Sequence, residues 1–206
     1  MKQIESLFLG IIAATGALFA EVLLMILILA VFGAGGKLNL DDFLDITSQK
    51  NIISPYVFLF LFAFLEESIK YFFIAHKIEK FSLGRMLIIN SLILGIGFSV
   101  IEISLIATNI NKNLMSQNYF YQNIAEIFLL HIMTAGLMGY VIALLNPRKI
   151  GTFFAAVIPA LFFHLSYNIL NQYRNFWINP FVIALLAVLF LINFANLLRI
   201  NKKLAS

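Results

Sequence analysis

The sequence predicts an all-α fold, a polytopic transmembrane helical bundle with about six membrane-spanning helices in a single domain over residues 1–206. Hydrophobic residues make up 62% of the chain and charged residues 12%, with a mean hydropathy of +0.96. Soluble domains lie far from these values. Six segments also come close to the ~20 apolar residues that a helix needs to cross a bilayer: 7–33, 55–76, 85–107, 121–145, 151–172 and 177–198.

The first segment follows Met1 and Lys2, as the apolar region of a signal peptide would. Segment 7–33 is about twice as long as such a region, which has 7–15 residues, so we predict a retained transmembrane helix. Glu21 within it is predicted to be a partly wet or interhelically hydrogen-bonded group. All six segments should be helices, because lipid offers no hydrogen-bond partners and a helix pairs its backbone groups within its own segment. The strands of a membrane barrel are only ~10 residues long, which is too short for these segments.

The connections between the spans predict the orientation of the chain. Basic residues concentrate in the 77–85 and 146–150 connections and in the C-terminal tail, and the other connections carry fewer of them over greater lengths. The positive-inside rule therefore predicts that the N- and C-termini are cytoplasmic. The formal charge of +4 is a topology marker and predicts no nucleic-acid partner. In the longest connection, residues 38–52 are predicted either as a short surface helix or as a solvated loop.

An acidic pair inside the second segment is the strongest indication of function. Glu66 and Glu67 are adjacent, and Lys70 follows one helical turn later. A charge at the centre of a bilayer costs ~2.5–3.5 kcal/mol on insertion scales, so such groups usually serve a function. Lys70 is close enough along the helix to neutralise and orient one of the two carboxylates. The two glutamates diverge by about 100° around the helix axis, so at most one should point straight at a shared centre.

Four spans, the second segment among them, place ionisable groups at comparable depth. At ~1.5 Å per residue, Glu66 lies ~15 Å and His164 ~20 Å from the cytoplasmic ends of their segments. Glu102 lies ~25 Å along the third segment, and His131 lies ~15 Å from the outer end of the fourth. Side chains from four helices therefore fall between the midplane and the outer half. We expect them to meet around one water-accessible cavity.

Such a set of groups favours hydrolysis of an amide bond inside the membrane. A carboxylate in a cavity of low dielectric can act as a general base on water. Histidines opposite it can bind Zn²⁺ or polarise a carbonyl, and the Asn168 amide, on the same face as His164, can donate to an oxyanion. The chain has no cysteine, no intramembrane Asp pair and no His-Glu-x-x-His, and no serine in a rhomboid-like setting is apparent. Thiol, serine, aspartyl and site-2 metalloprotease types are therefore disfavoured.

Four short segments also carry a family resemblance. Glu66–Lys70 has the pattern E-E-x-x-K, Gly95–Glu102 has G-x-G-F-x-x-x-E, His131–Tyr140 has H-x₇-G-Y, and His164–Asn168 has H-x-x-x-N. In this order they resemble the motifs of PrsW-type glutamic or metallo intramembrane proteases, distant relatives of the CAAX prenyl-protease (CPBP/Abi) family. The resemblance covers about residues 55–170. One departure is Ile103, where PrsW-like chains usually have Asn.

The resemblance implies an intramembrane endopeptidase that cleaves a membrane-anchored protein substrate within the lipid bilayer of a bacterial cell membrane. Site-1 cleavage of an anti-sigma factor is one such activity. We expect the catalytic residues to be Glu66, Glu67, Glu102, His131, His164 and Asn168, with Lys70 and Phe98 supporting them. The residues expected to hold a metal, if the centre uses one, are His131, His164 and Glu102, and this donor set allows Zn²⁺ without requiring it.

Two other functions remain open from the sequence. A non-catalytic interaction or immunity-type protein of the same architecture would use the polar cluster only to lock helices together, so its Glu and His variants would misfold. An ion-coupled transporter would also use intramembrane carboxylates and would show flux in proteoliposomes. The chain has no repeated halves, which disfavours the transporter.

Overall fold

The computed structural model describes residues 2–33, 55–109, 117–145, 147 and 149–204, and no strand occurs within these ranges. A π-helical turn, Ile74–Ile78, extends the second helix. The helices are α1 (Lys2–Gly33), α2 (Pro55–Phe73), α3 (Gly84–Asn109), α4 (Gln117–Leu144), α5 (Ile150–Gln172) and α6 (Asn179–Leu204). They coincide with the six predicted segments to within a few residues at most ends. The predicted surface helix at 38–52 lies outside the described residues.

The helices form a membrane bundle, as the sequence predicts. Over the described part of the chain, five helices are long and apolar enough to cross a bilayer. The remaining one, α2, carries Glu66, Glu67 and Lys70 within its 19 residues. Large apolar side chains are exposed on the outside, among them Phe8, Phe19 and Leu27. This surface suits lipid rather than water.

Two glycines of α3 bring its neighbours unusually close. A Cβ atom on Gly97 would overlap the carbonyl oxygen of Leu7 in α1, and one on Gly95 would overlap the backbone of His131 in α4. Small residues at helix crossings let backbones approach and pack in membranes. The G-x-G part of the third segment's motif therefore has a packing role. It holds α1 and α4 tightly against the helix that carries Glu102.

Two apolar clusters flank the middle of the bundle. On α5, the first cluster includes Ala160 and the second includes Tyr167, and His164 lies between them. On α4, Met138 belongs to the first cluster and Ile127 to the second, on either side of His131. The polar residues of these helices are thus enclosed by packed apolar layers.

A polar contact joins the N-terminal half of α4 to the C-terminal end of α5. Arg174 donates to both carboxylate oxygens of Glu126, from Nη1 to Oε2 at 2.9 Å and from Nη2 to Oε1 at 2.7 Å. Tyr167 also donates to Asn123 Oδ1 at 2.9 Å. A bidentate pair of this kind fixes geometry as well as charge. It restricts the sliding of the two helices that carry the buried histidines.

Candidate hydrolytic centre

Lys70 is the hub of the buried polar cluster. Its Nζ donates to Glu67 Oε1 at 2.6 Å, to His131 Nδ1 at 3.0 Å and to Thr134 Oγ1 at 3.2 Å. The side chains of Lys70 and Glu67 are both completely buried. An ammonium group has three N–H donors, so all three are used. The predicted supporting residue Phe98 presents its ring 4.7 Å from the same nitrogen, a cation–π contact.

These contacts determine the tautomer of His131. A charged lysine can only donate a hydrogen bond, so His131 Nδ1 must accept one. A neutral imidazole then carries its proton on Nε2, and Nε2 is in direct contact with Glu102 Oε2. Neither of these two atoms has another hydrogen-bond partner among the described residues. Lys70, His131 and Glu102 thus form one connected series across three helices.

His164 has the opposite arrangement. Its Nδ1 lies 2.6 Å from Glu67 Oε1, and a carboxylate can only accept, so Nδ1 donates and Nε2 keeps a free lone pair. Nε2 faces Glu66 Oε2 at 3.9 Å. Glu67 therefore orients His164 and neutralises Lys70, whereas Glu66 Oε2 stays unpartnered in the described structure. The adjacent glutamates have separate roles in the geometry.

A cavity of about 120 Å³ opens beside this cluster, between α1, α2 and α3. Three carboxylates, those of Glu21, Glu66 and Glu102, line it together with apolar side chains that include Ala14 and Ala17. Glu21 is not among the site residues that the sequence predicts. Glu21 lies ~28 Å along α1 from Lys2 at 1.5 Å per residue, a depth similar to that of Glu102. This similarity of depth could have identified Glu21 as a site residue from the sequence.

The structure brings most of the predicted site residues together. The rings of His131 and His164 are 5.2 Å apart, and the rings of Phe98 and His131 are 4.9 Å apart. Asn168 is the exception: it lies one turn beyond His164 and is half-buried, and no hydrogen bond or ion pair described here reaches it. Thr134, which the sequence analysis did not include, is buried and accepts from Lys70. Its spacing of three from His131 puts both on one face.

The donor atoms also fit a metal ion. Glu66, His131 and His164 each offer one ligand atom, and these atoms lie within 4.8 Å of one another. In the described ranges Glu66 Oε2 is buried without a hydrogen-bond partner, as an atom awaiting a ligand would be. His131 Nε2 is buried and contacts Glu102 Oε2 there. The carboxylate of this group is Glu66, whereas the metal ligand predicted from the sequence is Glu102. His131 Nε2 can carry a proton or bind a metal ion, but it cannot do both at once.

Comparison with known proteins identifies the family. The model of the PrsW family intramembrane metalloproteases matches residues 5–195, from α1 into α6 and well beyond the 55–170 of the motif resemblance. No curated protein and no solved structure matches the chain. The buried carboxylate and imidazole groups described above lie on helices within the matched range. The chain is an integral membrane protein and belongs to the PrsW family of intramembrane metalloproteases.

Proposed function

We propose that this protein hydrolyses a peptide bond of a membrane-anchored protein, with Glu66 and His164 activating the water. The supporting observation is the pair of free atoms, Glu66 Oε2 and His164 Nε2, 3.9 Å apart in a buried setting. A water molecule can hydrogen bond both atoms at about 2.8 Å from each. Two such acceptors hold a water with its lone pair free to attack a carbonyl carbon.

The remaining residues complete the reaction. Glu66 takes a proton from the water while the water oxygen bonds to the scissile carbonyl carbon. Glu66 then gives that proton to the leaving amine as the C–N bond breaks. Glu67 keeps His164 in the tautomer with Nε2 unprotonated, as the carboxylate does in a hydrolase triad. The Asn168 amide is the proposed donor to the developing oxyanion. Glu102 orients His131.

We propose Zn²⁺ as the metal when the centre holds one. Two imidazoles and a carboxylate are a common zinc donor set, and Glu66, His131 and His164 would hold the ion. Bound there, it would polarise the scissile carbonyl and acidify water. Glu67 supports this assignment, because the histidine of a metal site usually donates its other ring N–H to a carboxylate.

The three histidines allow a matched test of the metal site. Purified protein should bind one Zn²⁺, and His131→Ala and His164→Ala should each weaken binding by at least about 100-fold through loss of a ligand. His76→Ala is the control, because His76 is exposed and its hydrogen bond in the described structure is to the Phe72 carbonyl, one helical turn earlier. Zn²⁺ titration of the detergent-solubilised variants measures this. Cleavage that persists after complete chelation would rule out the metal and leave the Glu66–His164 chemistry.

The proposal also includes a cellular setting. Basic residues at the 77–85 and 146–150 connections support cytoplasmic termini, and membership of the PrsW family supports a bacterial cell membrane and an anti-sigma factor as substrate. A substrate anchored in the bilayer reaches the buried centre laterally from lipid. The surrounding bilayer is therefore part of the working enzyme.

Reconstitution tests the function directly. Proteoliposomes that contain the protein and a single-span substrate should yield a cut within or beside the substrate's membrane segment, located by mass spectrometry. The matched soluble ectodomain without its anchor should remain intact. If a panel of anchored proteins, including anti-sigma factors, is left uncut, the protease assignment fails. The same vesicles report ion flux, which a transporter would show and this protein should not.

A further inference from the structure

A second cavity, of about 690 Å³, lies where the 77–85 connection joins α2 to α3. Its lining residues come from the start of α1, from this connection and from the first two turns of α3, and none of them belongs to the hydrolytic centre. The volume falls within the ~300–1,000 Å³ of small-molecule sites. The cavity therefore has room for an organic ligand rather than for a single ion.

Asn90 is a buried polar residue of this cavity with an unsatisfied amide oxygen. Its side chain is completely buried, and its Nδ2 donates to Ser82 Oγ. Its Oδ1 has no hydrogen-bond partner in the described ranges, which is uncommon for a buried polar atom in a native protein. An amide oxygen can only accept, so the missing partner is an N–H or O–H donor.

Three charged side chains surround the same cavity. Lys2 and Lys80 are exposed cations, and Glu79 is a partly exposed carboxylate. None of the three forms an ion pair with a described residue. Two ammonium groups suit a phosphate, whereas a carboxylate repels a purely anionic ligand and attracts a cation. The charges together match a ligand that carries both a phosphate and an ammonium group.

The outer edge of the cavity is apolar. Leu83 and Met86 line it and are exposed. A water-soluble phosphate compound would gain little from these side chains, whereas the acyl chains of a lipid would cover them. Because α1 begins at Lys2 and α3 at Gly84, the cavity lies at the ends of two membrane helices. Lipid headgroups occupy this level of a bilayer.

We propose that this cavity binds one phospholipid with a primary-ammonium headgroup, the chemistry of phosphatidylethanolamine. The phosphate contacts Lys2 and Lys80, and the ammonium group contacts Glu79 and donates to Asn90 Oδ1. Phosphatidylcholine cannot replace it, because a quaternary ammonium has no N–H to donate. The site is separate from the hydrolytic centre, and the proposal does not depend on the proposed function.

Native mass spectrometry of the full chain in detergent counts bound lipids and gives a Kd for each. One phosphatidylethanolamine should bind, at least about tenfold more tightly than phosphatidylcholine, which cannot form the charge-assisted hydrogen bond. Lys2→Gln and Lys80→Gln should each weaken this binding about fivefold, the usual effect of one basic residue beside lipid phosphate. Lys77→Gln is the matched control, because Lys77 is an exposed residue near Lys80 that does not line the cavity.

Three comparisons can overturn the proposal. If phosphatidylcholine or phosphatidylglycerol binds as tightly as phosphatidylethanolamine, the headgroup assignment is wrong. Equal weakening by Lys80→Gln and Lys77→Gln would show attraction to general surface charge instead of a site. Glycerophosphoethanolamine has the same headgroup without acyl chains and should bind much more weakly, so equal binding would identify a soluble phosphate compound and contradict the lipid.

Two further variants test the contacts of the ammonium group. Asn90→Ala should remove the preference for phosphatidylethanolamine over phosphatidylcholine, and an unchanged preference contradicts the proposal. Glu79→Gln should reduce the preference over phosphatidylglycerol, and an unchanged value is again contrary evidence. Tm is measured for both. If Asn90→Ala does not fold, Glu79→Gln still decides, because Glu79 is partly exposed and its replacement leaves the buried packing intact.

Discussion

Replacing Glu66 by Gln should lower kcat by about 10²–10⁴-fold, the usual contribution of a positioned general base, while Tm stays unchanged or rises. Gln preserves the shape of the side chain but cannot take the proton from water. Stability should not suffer, because Glu66 Oε2 has no hydrogen-bond partner within the described structure and a buried unpaired charge is itself costly. A catalytic group and a structural group thus give opposite expectations for Tm.

Rates on the reconstituted substrate and thermal unfolding in detergent check this prediction. Glu5→Gln makes the same chemical change at an exposed site on α1 and should behave as the parent protein. If the Glu66→Gln variant has the kcat of the parent protein, Glu66 is not the general base. A large fall in Tm with loss of activity would instead favour a cluster that only holds helices together.

Replacing Lys70 by Met should destabilise the fold by about 3–5 kcal/mol, as loss of one partner from a buried ion pair does. Met preserves much of the volume, but Glu67 would keep a completely buried carboxylate without its cation. His131 Nδ1 and Thr134 Oγ1 would lose their donor too. The same reasoning applies to Glu67→Ala, which should lower stability as well as activity.

Thermal unfolding of a charge-removal series measures the Lys70 effect. The double variant Lys70→Met with Glu67→Gln should be more stable than Lys70→Met alone, because the uncompensated charge is gone. Lys77→Met, at an exposed position just beyond α2, should leave Tm unchanged. If Lys70→Met has the same Tm as the parent protein, the buried ammonium of Lys70 does not hold the polar cluster together.

Much of the fold follows from local sequence. Lengths of apolar runs predict the six helices, since crossing a bilayer fixes both length and hydrogen bonding. The spacings of four from Glu66 and three from Glu67 likewise predict that Lys70 pairs with one of the two, and the structure shows the pair with Glu67 at 2.6 Å. Depth along each helix was sufficient to predict that residues of four spans lie at one level.

Other features of the site depend on contacts between distant segments. Periodicity gives the 100° between Glu66 and Glu67, but the rotation of α2 against its neighbours decides which of them contacts His164 Nδ1. The addition of Glu21 depends on the α1–α3 crossing at Gly97, which only the packed bundle reveals. The spacing of four places Asn168 on the same helix face as His164, yet Asn168 has no hydrogen-bond partner among the described residues.

The surroundings of Lys70 restrict which basic residue can occupy that position. An ammonium offers three hydrogens directed tetrahedrally, and the site supplies one carboxylate oxygen, one imidazole nitrogen and one hydroxyl oxygen to receive them. A guanidinium would bring five hydrogens in a plane, two more than the three acceptors that the Lys70 ammonium uses. The number and direction of hydrogens therefore matter at this position, and equal charge alone does not make a replacement equivalent.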